Sequence, residues 1–214
     1  MTALLTLTRV AKLYGPRLIF RDVCQSFAQG SLTLLVGNNG CGKSTLMRIM
    51  AGLARPNAGE VSLADGVSLG YVAHATFLYP GLTALENLTF WSRAYGLAKT
   101  ARDFMVVLER VGLIAHAHER AGVFSRGMAQ KLNLARVLLQ QPDLLLLDEP
   151  GTGLDQSALA LLREEMLAVR ERGGCVVCIS HDLQNDTPLA DTVCRLDRGR
   201  LTAMSPQEFA TCCA

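Results

Sequence analysis

Gly37-Asn38-Asn39-Gly40-Cys41-Gly42-Lys43-Ser44-Thr45 fits the pattern G-x-x-x-x-G-K-[ST] at every fixed position. The run before it, Leu32 to Val36, is apolar and reads as a buried strand. After it, Leu46, Met47, Ile49, Met50 and Leu53 recur at helical spacing. Strand, glycine loop and helix are the context this pattern needs. Glycines let a backbone take positive φ and approach a ligand closely. Successive inward-facing N–H groups form an anion nest, and a helix start adds its positive end. Lys43 is placed to reach β- and γ-phosphate oxygens, and the Ser44 hydroxyl to ligate Mg²⁺. A glycine-rich turn that merely precedes a helix is the bland alternative, and the complete match in its strand context weighs against it. The loop says that a nucleoside triphosphate binds, and not what for.

The bulk properties narrow the classes. At 214 residues the chain has the size of one α/β domain, or of a domain with a small inserted lobe. Half of it is hydrophobic, so a large core is available. A net charge of +2 with no long basic run gives no argument for nucleic acid. No apolar stretch approaches the ~18 residues that suggest a membrane span. The N-terminal residues lack a signal-peptide layout, so the chain is expected to stay in the cytoplasm. Seven cysteines are an odd number, most of them inside apolar runs. Cys175-Val-Val-Cys178 has metal-like spacing but no matching second pair, and as strand residues the two would face opposite sides of a sheet. Core packing is the expected role; Cys212 and Cys213 receive none.

Outward from the loop, residues 4 to 10 and 18 to 28 alternate as strands. Ala54 to Gly59 is a turn cluster, and Val61 to Leu63 with Val67 to Val72 read as a short strand pair. Residues 73 to 125 change character. His74 to Gly81 is a loop, Thr83-Ala-Leu-Glu86 is a capping box opening a helix, and Thr100-Ala-Arg-Asp103 opens another. This is an all-helical insertion, followed by a helix from Ser125 to about Gln140. Leu144 to Leu147 is typical of a central parallel strand and ends in Asp148-Glu149-Pro150. A helix over about Gln156 to Glu171, a strand over Cys175 to Ile179 ending in Ser180-His181-Asp182, two late strands and a short helix after Ser205-Pro206 complete the chain.

Ligands of parallel α/β sheets sit at the carboxyl ends of strands. Val36, Leu147 and Ile179 each lead into chemistry there. Asp148 is placed to hold Mg²⁺, through water. Glu149 points elsewhere and is the candidate to orient or deprotonate an attacking water. His181 is the candidate to hydrogen-bond the γ-phosphate and steady Glu149. With Lys43, these are the expected catalytic residues.

Taken together, the residues resemble the ATP-binding subunits of ABC (ATP-binding cassette) transporters over nearly the whole chain. Gly37 to Thr45 looks like Walker A. Leu144 to Asp148 looks like Walker B, with Glu149 beside it. Phe124-Ser125-Arg126-Gly127-Met128 is similar to a variant signature motif, Gly153-Leu154-Asp155 to the D-loop, His181 to the switch histidine, and Tyr14 to the adenine-stacking aromatic. The resemblance implies one nucleotide-binding domain over residues 1–214, of α/β P-loop NTPase fold. It would have a parallel core sheet, an N-terminal antiparallel β subdomain and an inserted helical subdomain near 73–125.

It also implies ATP and Mg²⁺ as cofactors, and head-to-tail pairing with a second copy. Ser125 and Gly127 of one copy would meet the phosphate held by Gly37 to Thr45 of the other, with Asp155 at the interface. Integral membrane transporter subunits are the implied further partners, at the cytoplasmic face of the inner or plasma membrane, with no nucleic acid. His74 stands where the family usually has Gln, so the metal set reads Ser44, Asp148 and His74. Mg²⁺ prefers oxygen ligands, so His74 is expected to act through water or in coupling, or to be an ordinary loop histidine. His74→Gln is expected to keep at least partial ATPase activity; complete loss in a phosphate-release assay would assign the imidazole a specific role.

The run Gly70-Tyr-Val-Ala-His74 with Leu82 to Leu88 is similar to the haem-exporter ATPases of cytochrome c maturation. Another exporter ATPase for a drug, lipid or antibiotic is the alternative within the family. A soluble cassette ATPase acting on ribosomes or DNA, or a regulatory subunit without turnover, are alternatives outside transport. An N-K-x-D motif for guanine is absent.

Overall fold

In the computed structural model, which describes residues 2–73 and 75–213, the chain opens with two strands of 12 residues, β1 (Ala3–Tyr14) and β2 (Arg17–Ala28). They pair antiparallel and bury Leu5, Leu7, Val10, Phe20, Val23 and Phe27. β3 (Leu32–Val36) is buried at every position and runs into the glycine loop and α1 (Lys43–Met50). β4 (Ala58–Leu63) then returns antiparallel to β1, which makes a three-stranded sheet of order β2-β1-β4.

The expected pair of Val61–Leu63 with Val67–Val72 does not form. β5 (Leu69–Val72) joins the second sheet, parallel to β6 (Leu144–Asp148). The contact that favours this comes from far along the chain: the Asp143 carboxylate accepts from the Ser68 N–H (2.9 Å) and hydroxyl (2.7 Å), pinning the start of β5 to the start of β6. With β7 (Cys175–Ile179), β8 (Thr192–Asp197) and β9 (Arg200–Met204), the second sheet has the order β5-β6-β7-β3-β8-β9, parallel except for β9.

Between β5 and β6 lie α2 (Ala84–Ala94), α3 (Ala101–Arg110) and α4 (Arg126–Leu138). Both expected capping boxes are present: Thr83 with Glu86, and Thr100 with Asp103. Leu88, Phe104, Leu108 and Leu132 from these helices share one buried cluster with Leu145 and Leu147 of the sheet. The helical lobe is therefore packed onto the sheet rather than hung from it. α5 (Gln156–Glu171), the single turn α6 (Leu183–Asp186) and α7 (Pro206–Cys213) follow, the last opened by reciprocal hydrogen bonds between Ser205 and Glu208.

Alternation along the strands divides the core in two. Leu34, Leu147, Val176 and Cys178 face α4 and α5; Leu35, Leu146, Cys175 and Val177 face α1 and the antiparallel sheet. Cys175 and Cys178 thus point to opposite sides, as strand periodicity requires. Burial pushes the Cys175 thiol up to about 11, which suits packing and not reactivity.

Candidate functional site

The glycine loop is shaped by contacts that leave no room for a side chain. At Gly37 (φ +149°) a Cβ would lie 2.3 Å from the Leu196 carbonyl oxygen; at Gly42 (φ +111°) it would lie 2.5 Å from Ile19 Cγ2. Lys43 is 7 % exposed, and its ammonium donates to the carbonyls of Gly37 (2.8 Å) and Asn38 (3.3 Å). α1 begins with no side-chain cap, whereas Thr83, Thr100, Ser125 and Asp155 cap α2 to α5. A buried cation bonded to neutral carbonyls, beside an uncapped helix start, fits an anionic phosphate.

The carboxylates come from the neighbouring strand end. Ser44 Oγ donates to Asp148 Oδ1 at 2.9 Å, so two oxygens of the kind Mg²⁺ selects sit side by side. Asp148 is 4 % exposed, and Tyr71 donates its hydroxyl to Oδ2 at 3.2 Å. Burial first, then the Asp148 charge, raises the Tyr71 phenol above its ordinary range, so it stays a donor. Glu149 takes a left-handed backbone (φ +53°), uncommon without glycine. Its neighbour Asp148 meets Ser44, while Glu149 Oε1 meets His181 Nε2 at 2.9 Å. That ring can pass hydrogen-bonding direction from the β7 end to the Glu149 carboxylate.

A cleft of about 410 Å³ lies over the loop, lined by Arg17, Ile19, Asn39, Gly40, Gly42, Lys43, Ser44, Thr45, Glu149 and His181. The structure thus brings Lys43, Ser44, Glu149 and His181 to one cleft, with Asp148 joined to it through Ser44. Gly37, Asn38 and Cys41 complete the loop without lining the cleft. Tyr14, 51 % exposed, lies outside that lining, but its register partner Arg17 is within it.

Ser125, Gly127 and Asp155 are not in the cleft of their own chain. Ser125 caps α4, accepting the Met128 N–H at 3.2 Å, and its hydroxyl proton remains to donate. A Cβ on Gly127 would stand 2.7 Å from the Gly153 carbonyl oxygen, so the signature segment abuts the 153–155 loop. Asp155 caps α5 and pairs with Lys131 at 3.0 Å. Hydrogen bonds from Ser157, Ala158 and Lys131 hold its carboxyl well below the usual range. The expectation for His74 lies outside the described residues.

Sequence reasoning missed three features. One is the Tyr71 hydroxyl. Another is the Arg163 guanidinium, which binds Asp186 (2.7 Å) and Asp182 (2.5 Å) and so braces the segment carrying His181. The third is Arg136, 3 % exposed, donating to the Tyr95 hydroxyl, the Tyr71 carbonyl (2.9 Å) and Asn133 Oδ1 (2.9 Å). Its guanidinium also stands 5.4 and 5.0 Å from the Phe77 and Trp91 rings. All three join residues far apart in sequence, where no fixed spacing could reveal them.

Fold and cleft together define an α/β protein of the P-loop nucleotide-binding class. A family model described as ABC transporter matches residues 20–152, and the chain belongs to that family and has the ABC ATPase P-loop fold. It is 40 % identical over 205 residues to an aliphatic sulfonates import ATP-binding protein of Burkholderia pseudomallei, covering 91 % of this chain and 60 % of that protein. Identity is 34 % to a Nod factor export ATP-binding protein of Bradyrhizobium diazoefficiens, over 90 % of this chain and 67 % of that one. It is 32 % to a linearmycin resistance ATP-binding protein of Bacillus subtilis, over 91 % and 67 %. The chain spans about 60 % of the length of the sulfonate-import relatives. A solved ATP binding subunit of an ABC transporter superposes with a TM-score of 0.88 at 28 % identity, over 97 % of this chain and 93 % of that one. These relatives name sulfonate import, Nod factor export and linearmycin resistance, not haem. Among the described residues no helix is long and apolar enough to cross a membrane.

Proposed function

We propose that this chain binds Mg²⁺-ATP in the cleft over Gly37–Thr45 and hydrolyses it to drive a membrane transport partner. The observation that carries the reading is the convergence of Lys43, Ser44 and Asp148 with the Glu149–His181 pair at three strand ends. The loop N–H groups and Lys43 bind the phosphates. Ser44 and Asp148 hold Mg²⁺, which neutralises phosphate charge when bound. Glu149 orients and accepts a proton from the attacking water, and His181 fixes the Glu149 carboxylate.

Ser125 and Gly127, outside their own cleft, serve the cleft of a second copy, so the working unit is an ATP-dependent head-to-tail dimer. Asp155 lies in that interface and Tyr14 stacks on the adenine. The protein sits peripherally on the cytoplasmic face of the membrane.

For cargo we infer haem export in cytochrome c maturation, on the Gly70–His74 and Leu82–Leu88 runs. The names of the relatives favour a second reading, transport of a sulfonate, a lipid-like signal or an antibiotic. Affinity purification of the chain from membranes of its own host, with mass spectrometry of what comes with it, separates the two. Recovery of a haem-handling membrane protein is the expected result. Recovery of a sulfonate permease or a drug-export permease overturns the haem reading and keeps the ATPase reading, and recovery of ribosomes overturns both.

A further inference from the structure

The Asp148 carboxylate is held from two sides. Oδ1 meets Ser44 on the side of the phosphate loop, and Oδ2 meets the Tyr71 hydroxyl. Holding Oδ2 restrains the rotation of the carboxylate about its own bond and keeps Oδ1 beside the Ser44 hydroxyl, the pair of oxygens that would hold the metal. Tyr71 is itself fixed at three points. Its backbone pairs with Leu146, one strand over on β6. Its carbonyl accepts from Arg136 of α4 at 2.9 Å. Its ring meets Phe77 with centroids 6.3 Å apart, and Phe77 lies under the same guanidinium. Tyr71 is thus tied to α4 of the helical lobe through its backbone carbonyl and to Asp148 through its hydroxyl.

From this geometry we propose that Tyr71 is a positioning residue, whose hydroxyl orients Asp148 for Mg²⁺ and whose backbone links that orientation to Arg136 in the helical lobe. The inference rests on the reading of Asp148 as a metal ligand. Groups that hydrogen-bond a metal-ligating carboxylate set the ligand's direction, and losing one typically costs 10–100-fold in metal affinity.

Tyr71→Phe removes only the hydroxyl and keeps the ring against Phe77. The probe is Mn²⁺, followed by its electron paramagnetic resonance signal in the presence of a non-hydrolysable ATP analogue. Binding of a fluorescent ATP analogue in EDTA is measured beside it. Wild type, Tyr71→Phe and Asp148→Asn are compared. Tyr71→Phe is expected to weaken Mn²⁺ about tenfold, with metal-free nucleotide affinity within about twofold of wild type. Unchanged Mn²⁺ affinity in Tyr71→Phe, with a clear loss in Asp148→Asn, overturns the role of Tyr71 and leaves the metal site standing. An equal loss of metal-free nucleotide binding also overturns it, because a general structural effect would do that. If Asp148→Asn leaves Mn²⁺ affinity unchanged, the metal reading falls and this inference falls with it.

Discussion

Glu149→Gln is expected to lower ATP turnover by about 10²- to 10⁴-fold, the usual contribution of a positioned general base, while leaving nucleotide affinity nearly unchanged. The substitution preserves shape, and the amide oxygen can still accept from His181 across the present 2.9 Å contact. Only basicity is lost. Lys43 donates to the Gly37 and Asn38 carbonyls and Ser44 to Asp148, so the groups proposed to hold phosphate and metal are other residues. On the proposed shared-site mechanism, a protein that binds ATP and cannot hydrolyse it should accumulate as the ATP-bound dimer, with Ser125 and Gly127 of the second copy engaged. Light scattering in millimolar ATP, with the membrane partner supplied, checks this. A variant that stays monomeric there contradicts the shared-site mechanism, and one that retains more than about a tenth of wild-type turnover removes Glu149 from the role of base.

Arg136→Ala is expected to be the most destabilising single change outside the cleft. It deletes a 3 % exposed guanidinium and strands the Tyr71 carbonyl, Asn133 Oδ1 and the Tyr95 hydroxyl. Burial lowers the pKa of this guanidinium, yet arginine remains charged in proteins. The aromatic faces of Phe77 and Trp91 compensate part of the desolvation. Losing charge-assisted hydrogen bonds and leaving buried acceptors unpaired costs about 3–5 kcal/mol. For a domain of this size that corresponds to a fall in Tm of roughly 10 °C. Arg136→Lys should recover little of it, since a point charge cannot serve three acceptors in a planar fork. Calorimetry decides: a Tm for the alanine variant within about 2 °C of wild type would mean the cluster is not a fastening between α2, α4 and β5.

Some features were legible in the sequence because they are local. Gly37 to Thr45 has fixed spacing, and the backbone geometry at Gly37 and Gly42 admits nothing but glycine. Thr83 with Glu86, and Thr100 with Asp103, announce helix starts through contacts three residues apart. Leu144 to Leu147 and Cys175 to Ile179 read as buried strands because every position is apolar.

The pairing of β5 was not legible in the same way. Val67 to Val72 has strand character, but whether it joins β4 or β6 depends on Asp143, 75 residues from Ser68. The 153–155 loop beside Gly127 likewise depends on packing between segments that sequence spacing does not relate.

By itself, then, the sequence determined that a glycine loop, a carboxylate pair and a histidine stand at the ends of buried strands, since each is a short-range pattern of residue type and spacing. The tertiary structure alone decided the contacts themselves: Glu149 Oε1 on His181, Asp148 Oδ1 on Ser44, and Tyr71 behind Asp148 with Arg136 on the Tyr71 carbonyl. Those relations come from strand order, a left-handed backbone at Glu149 and side-chain packing across the sheet. They are long-range, and burial and hydrogen-bond satisfaction select them rather than any local preference of the chain.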